Sequence, residues 1–194
     1  MPSLSRRLVA EAFGTFGLVF FGASAVVMSN AFGNNYGLLG IALTHAIVLS
    51  IMVTATMHIS GGHLNPAIST GLLVARRIDA VTWISYVIAQ LVGAVLAGFC
   101  MKWLLPEAAG RALSYGTPLI ANSVTFWQAT AIEGVITFFL VSSVFGTIVA
   151  DNAPKVGGFG VGLSLLFIIL FAGPLTGGSA NPARAFGPAL VSGV

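Results

Sequence analysis

Five stretches of the sequence, residues 8–28, 38–58, 81–104, 126–150 and 158–172, are apolar over the length at which a helix crosses a bilayer, the last one only just. A crossing takes about 20 mostly apolar residues at about 1.5 Å each. No stretch of about ten residues alternates apolar and polar side chains in the way a lipid-facing β-barrel requires. Charge agrees with this. The 194 residues carry eight Lys and Arg and five Asp and Glu, 7% of the chain, where a soluble domain carries about 25%. So few charges cannot cover a water-exposed surface, and the mean hydropathy is +0.99. The net charge of +3 contains no Lys/Arg run longer than two residues, so nucleic acid is not an expected partner. Cys100 is the single cysteine, which excludes an intramolecular disulfide and a multi-cysteine metal site. The chain reads as an all-α, polytopic membrane protein with no cofactor.

The N-terminus imitates a secretory leader, with Arg6-Arg7, an apolar run and Ala23-Ser24-Ala25. Glu11 inside that run, and the similar spans that follow, favour a retained first span. Arg6, Arg7, Arg76, Arg77 and Lys155 gather on one side of the membrane if the N-terminus is cytoplasmic, against Lys102 and Arg111 on the other. The uncharged residues 30–37 suit an outside loop. Short tails suit a cell membrane.

A pattern occurs twice. Ser60-Gly61-Gly62-His63-Leu64-Asn65-Pro66-Ala67 matches Thr176-Gly177-Gly178-Ser179-Ala180-Asn181-Pro182-Ala183, and Glu11-x3-Thr15-Phe16 matches Glu133-x3-Thr137-Phe138. Two further apolar segments, 66–75 and 182–191, are half the length of a span. They must lie at the interface or enter the membrane and turn back within protein. Each copy therefore reads span, span, half-helix, and the first adds a third span at 81–104. Three spans per copy turn the second copy over, giving an inverted repeat whose half-helices enter from opposite faces. The chain reads as one channel domain, residues 1–194, with a first repeat at about 6–104 and an incomplete second at about 126–194. Only 13 residues follow Asn181, so a sixth span is absent from this chain, and truncation is the expected reason.

Asn is a strong helix N-cap and Pro suits the first helical position, so Asn-Pro-Ala begins a helix. Gly61, Gly62, Gly177 and Gly178 allow an irregular approach whose carbonyls, with those of His63 and Ser179, can line a cavity. Two helix N-termini meeting near the midplane would each present about half a positive charge. Asn65 and Asn181 would add amide donors there, with Pro66, Ala67, Pro182 and Ala183 completing a central constriction. Such a site repels cations, and a water held by both donors breaks a proton chain. Glu11 and Glu133 are expected to be structural, each accepting hydrogen bonds from the irregular backbone ahead of a half-helix.

These paired motifs, together with Gly177-Gly178-Ser179-Ala180-Asn181-Pro182-Ala183-Arg184-Ala185-Phe186-Gly187-Pro188-Ala189, resemble the aquaporin, or major intrinsic protein, family over the whole chain. The resemblance implies six helices and two half-helices, a pore in each protomer and a homotetramer. It also implies an outer selectivity filter, carried over by spacing from the two Asn residues to His45, Ile169, Gly178 and Arg184. That set departs from the usual water-specific one and is similar to vacuolar-type and ammonia-permeable aquaporins. Asn122-Ser123-Val124 resembles the loop where vacuolar types add a His, here replaced by Asn. Glycerol facilitators look different after the second motif, where this chain has Ala185 and Ala189. The expected function is a passive channel for water and ammonia, with hydrogen peroxide as a further solute, excluding protons and ions. The alternative is a secondary transporter built on inverted repeats with broken helices, which ordinarily needs an ionisable residue at its substrate site. No nucleophile–base pair or phosphate loop suggests an enzyme. His58 reads as a vestibule residue, and Gly158 and Gly162 as close helix packing.

Overall fold

The structure is a computed structural model that describes residues 2–29, 31 and 35–194. Residues 30 and 32–34 of the expected outside loop fall outside that set. The described residues form helices and no strand. The long helices are α1 (Leu4–Met28), α2 (Gly37–Ser60), α4 (Ala80–Leu104), α6 (Phe126–Val144) and α7 (Gly158–Thr176), with half-helices α3 (Pro66–Val74) and α8 (Pro182–Ser192) and a surface helix α5 (Glu107–Ala112). With the turn of π-helix Phe145–Val149 added to α6, five helices among the described residues are long and apolar enough to span a membrane.

Three of the boundaries that differ from the sequence reading have a local cause. The first helix starts at Leu4 rather than residue 8, because Arg6 and Arg7 are good helix formers whose charged ends can snorkel to the interface. The last span continues past residue 172 to Thr176, with Pro174 inside it. Proline removes one backbone hydrogen bond but does not end the helix. The stop is instead Gly177, whose φ of 83° makes a left-handed C-cap. The α6 helix loosens into its π turn before residue 150.

Packing follows the repeat. Helix α1 lies between α2 and α4, α2 packs most extensively on α7, and α6 packs on α7. The half-helix α3 rests on α4 and α6, and α8 rests on α4. Small residues set the closest crossings. A Cβ on Gly93 would strike the backbone of Ala12, one on Gly187 the backbone of Ala94, and one on Gly162 the backbone of Ala46. In lipid, where no hydrophobic force drives helices together, such backbone approach is the main source of cohesion. The buried core, including Leu49, Ile68, Leu140 and Leu165, gathers where α2, α3, α6 and α7 converge. Outward faces carry exposed apolar side chains such as Phe138, Phe159, Leu163 and Phe167, as a bilayer demands.

Candidate functional site: a transmembrane passage between two half-helices

Asn65 caps α3, its Oδ1 accepting from Ala67 N–H at 2.8 Å. Asn181 caps α8 in the same way, accepting from Ala183 and Arg184 N–H at 3.0 and 3.2 Å. The chain reaches both caps through left-handed residues, Leu64 at φ 51° and Ala180 at φ 45°, each costly for a residue with a side chain. The two loops repay that strain to each other. Asn65 Nδ2 donates to the carbonyl of Ala180 at 2.8 Å, and Asn181 Nδ2 donates to the carbonyl of Leu64 at 3.0 Å. Each amide keeps one further N–H.

The carboxylates hold the loops from behind. Glu11, fully buried, accepts from Ser60 Oγ at 2.6 Å, from His63 N–H at 3.0 Å, from Leu64 N–H at 2.7 Å and from Gln90 Nε2 at 2.7 Å. Glu133 accepts from Thr176 Oγ1 at 2.6 Å, Ser179 N–H at 3.2 Å and Ala180 N–H at 2.9 Å. Gln90 of α4 completes the Glu11 site, and Glu133 borders a groove of about 600 Å³ between α6 and α8, also lined by Ala67 and Pro182.

Between the caps runs a narrow enclosed passage. It is lined by His45, Asn65, Gly178, Ser179, Asn181 and Arg184 together with the apolar Leu18, Leu49, Ile68, Leu140 and Leu165. Its free volume is about 10 Å³, near the least that holds one water. It opens towards one mouth of about 180 Å³, shared by His45 and Arg184 with Ile169, Gly177 and the loop Gly116–Leu119. A separate cavity of about 370 Å³ lies on the far side of the Gly61–His63 approach, lined by Arg7, His58, Gly61, His63, Arg77 and Tyr86 among others.

The sequence-derived site is thus placed with some redistribution. His45, Gly178 and Arg184 share the enclosed passage, and Ile169 sits one step further out. Ala183 is fully buried against Val19, Ala94 and Ala97, and neither it nor Pro66, Ala67 or Pro182 lines the passage. First-turn residues of a half-helix start and seat it, and leave the N-cap side chain to face the cavity. Gly62 backs the loop against Val53 and Thr56. Asn122 and Ser123 are exposed, and the loop residues at the mouth are Gly116 to Leu119 instead. The backbone bond from Ala121 N–H to Leu175 O, 2.9 Å, leaves the three residues after it outside the cavity.

The protonation state of His45 follows from geometry. His45 Nδ1 is 2.9 Å from the carbonyl of Ile41, which can only accept, so Nδ1 carries the proton. Nε2 is 3.3 Å from Arg184 Nη2, which can only donate, so Nε2 is bare and the ring neutral. Arg184, buried, also donates Nη1–H to the carbonyl of Gly116 at 2.8 Å. Its guanidinium is the one formal charge on the passage wall among the described residues. On the other side His63 Nδ1 meets Ser69 Oγ at 3.0 Å, and Ser69 in turn accepts from Gln90 Nε2 at 3.0 Å.

Sequence reasoning missed Leu18, Leu49, Leu140 and Leu165, which look like any other apolar residue of a span. It also missed the Gly116 carbonyl, which no side chain marks. Gln90 could have been found as an amide in the middle of an apolar span.

The major intrinsic protein family model matches residues 1–194. Aquaporin TIP4-4 of Zea mays is 38% identical over 97% of this chain and 76% of its own length. Glycerol uptake facilitator protein-like 6 of Lactiplantibacillus plantarum is 35% identical over 97% of this chain and 85% of its own. The X-ray structure of the aquaglyceroporin from Plasmodium falciparum superposes with a TM-score of 0.86 at 25% identity, covering 98% of this chain and 81% of that one. Members of the family are passive channels for small neutral solutes and not enzymes, which sets aside the ion-coupled transporter reading. The chain is a multi-pass membrane protein that belongs to the major intrinsic protein family.

Proposed function

We propose that this channel conducts water and ammonia, admits hydrogen peroxide, and excludes protons and ions. The observation that carries the proposal is the enclosed passage, which has room for about one water and is lined by Asn65, Asn181, His45 and Arg184. Solutes must enter singly and exchange bulk hydrogen bonds for those of the two Asn amides and the neighbouring wall. The remaining N–H of each Asn orients the oxygen of a central water towards both, interrupting a proton wire. The buried Arg184 opposes cations. Leucines and Ile68 of the lining accept a weakly hydrated neutral molecule.

Glycerol is the relevant competitor, since one relative is named a glycerol uptake facilitator. The narrow passage and the neutral Ala185 and Ala189 after the second motif argue for smaller solutes. His45, Ile169, Gly178 and Arg184 act as the selectivity filter in this reading, and Asn65 and Asn181 as the central constriction. Gly61 and His63 serve the inner approach, and Gly177 and Ser179 the outer one. The N-terminus is cytoplasmic in a cell membrane, and the protomer assembles as a homotetramer through its exposed apolar helix faces.

Stopped-flow measurement of water, ammonia and glycerol flux in proteoliposomes tests the proposal, using wild type and His45→Phe. Water and ammonia are expected to pass without saturation, glycerol to stay near the lipid background, and His45→Phe to lower ammonia flux more than water flux. Glycerol flux as fast as that of water overturns the solute assignment. Equal losses for water and ammonia remove His45 from the filter.

A further inference from the structure

We propose that Gly22 of α1 is a positioning residue for solute selection, because its missing side chain is the space that holds the His45 ring out of the passage. The inference rests on the reading of His45 and Arg184 as the filter, and it concerns a residue that touches no solute. A Cβ built on Gly22 would stand 2.7 Å from both Cδ2 and Nε2 of His45 and 3.3 Å from Cε1. Real Cβ contacts essentially never fall under 3.0 Å, so the ring lies directly on the α1 backbone.

The ring cannot yield freely. Its Nδ1 is tied to the Ile41 carbonyl one turn back on α2, and its Nε2 accepts from Arg184. It is 2% exposed and borders both the enclosed passage and the outer mouth. A methyl group at position 22 therefore moves the ring into one of those two spaces or breaks the contact with Arg184. The next residue of α1 backs the other half of the same pair. Gly116, at φ 73°, approaches the Ala23 backbone so closely that a Cβ there would collide with the Ala23 carbonyl, and it is the Gly116 carbonyl that accepts from Arg184 Nη1. Two consecutive α1 residues thus set where the imidazole and the guanidinium stand.

Flux of water and ammonia in proteoliposomes should be measured for wild type, Gly22→Ala, His45→Ala and the double variant, at equal reconstituted protein. Gly22→Ala is expected to lower water flux about fivefold or more, and adding the same substitution to His45→Ala to change it by less than about twofold. A ring that no longer exists cannot be displaced, so only the positioning role predicts this rescue. An unaltered flux in Gly22→Ala overturns the inference. So does an equal loss in both backgrounds, which would mark Gly22 as a packing residue of the fold. Wild type that conducts neither solute above the lipid background overturns the channel reading, and this inference with it.

Discussion

Asn65 and Asn181 hold each other's loops in place, each amide donating to the carbonyl one residue before the other, at 2.8 and 3.0 Å. Residues 116 positions apart in sequence thereby form a closed pair across the middle of the molecule. Each also caps its own half-helix, so one side chain orders both a helix start and the partner loop.

Replacing Asn181 with Ala removes a cap that serves two N–H groups and leaves the Leu64 carbonyl without its donor. The expected loss is about 2–3 kcal/mol, combining a lost cap with an unpaired buried acceptor. It should appear as a lower melting temperature in detergent, together with a loss of water flux. An unchanged melting temperature would contradict the reciprocal cap.

Glu11→Gln puts an amide where four donors now converge, so at least one donor faces another donor. Glu133→Gln meets three donors. We expect about 3 kcal/mol of destabilisation for the first and less for the second, because four donors lose a charged acceptor in one and three in the other. Thermal unfolding of both variants in one detergent gives the comparison. Equal losses would count against the asymmetry.

Arg184→Ala removes a formal charge from the passage wall. A unit charge at about 4 Å is worth about 4 kcal/mol at an effective dielectric constant of 20, so proton or sodium leak across proteoliposomes should rise by at least about tenfold. Leak at the wild-type level would mean that the helix N-termini alone exclude cations.

Gly187→Ala drives a methyl group into the backbone of α4, where the Ala94 carbonyl carbon would stand 2.6 Å away. Backbone cannot swing aside, and overpacking of this kind costs about 1–3 kcal/mol. Gly146→Ala is the control, since nothing stands within 4 Å of its added Cβ. Melting temperatures should fall for the first and hold or rise slightly for the second. The reverse order would sink the close-crossing account of α4 and α8.

The α-helical class, the five spans and the two half-helices were legible from residue order alone. Hydropathy over about 20 residues and an Asn-Pro helix start are local signals that lipid makes decisive, because every backbone N–H must find its partner within the segment. The repeat of Glu11 and Glu133 ahead of Asn65 and Asn181 likewise showed which carboxylate belongs with which loop. The tertiary structure alone decided the rest. Arg184 and His45, which the family resemblance grouped without a contact, stand 3.3 Å apart, and the second partner of Arg184 is the Gly116 carbonyl. Gly22 matters only because a ring from α2 lies against it. A carbonyl or a missing side chain leaves no mark in residue order, and the distances that make either one matter exist only once helices far apart in the chain have packed.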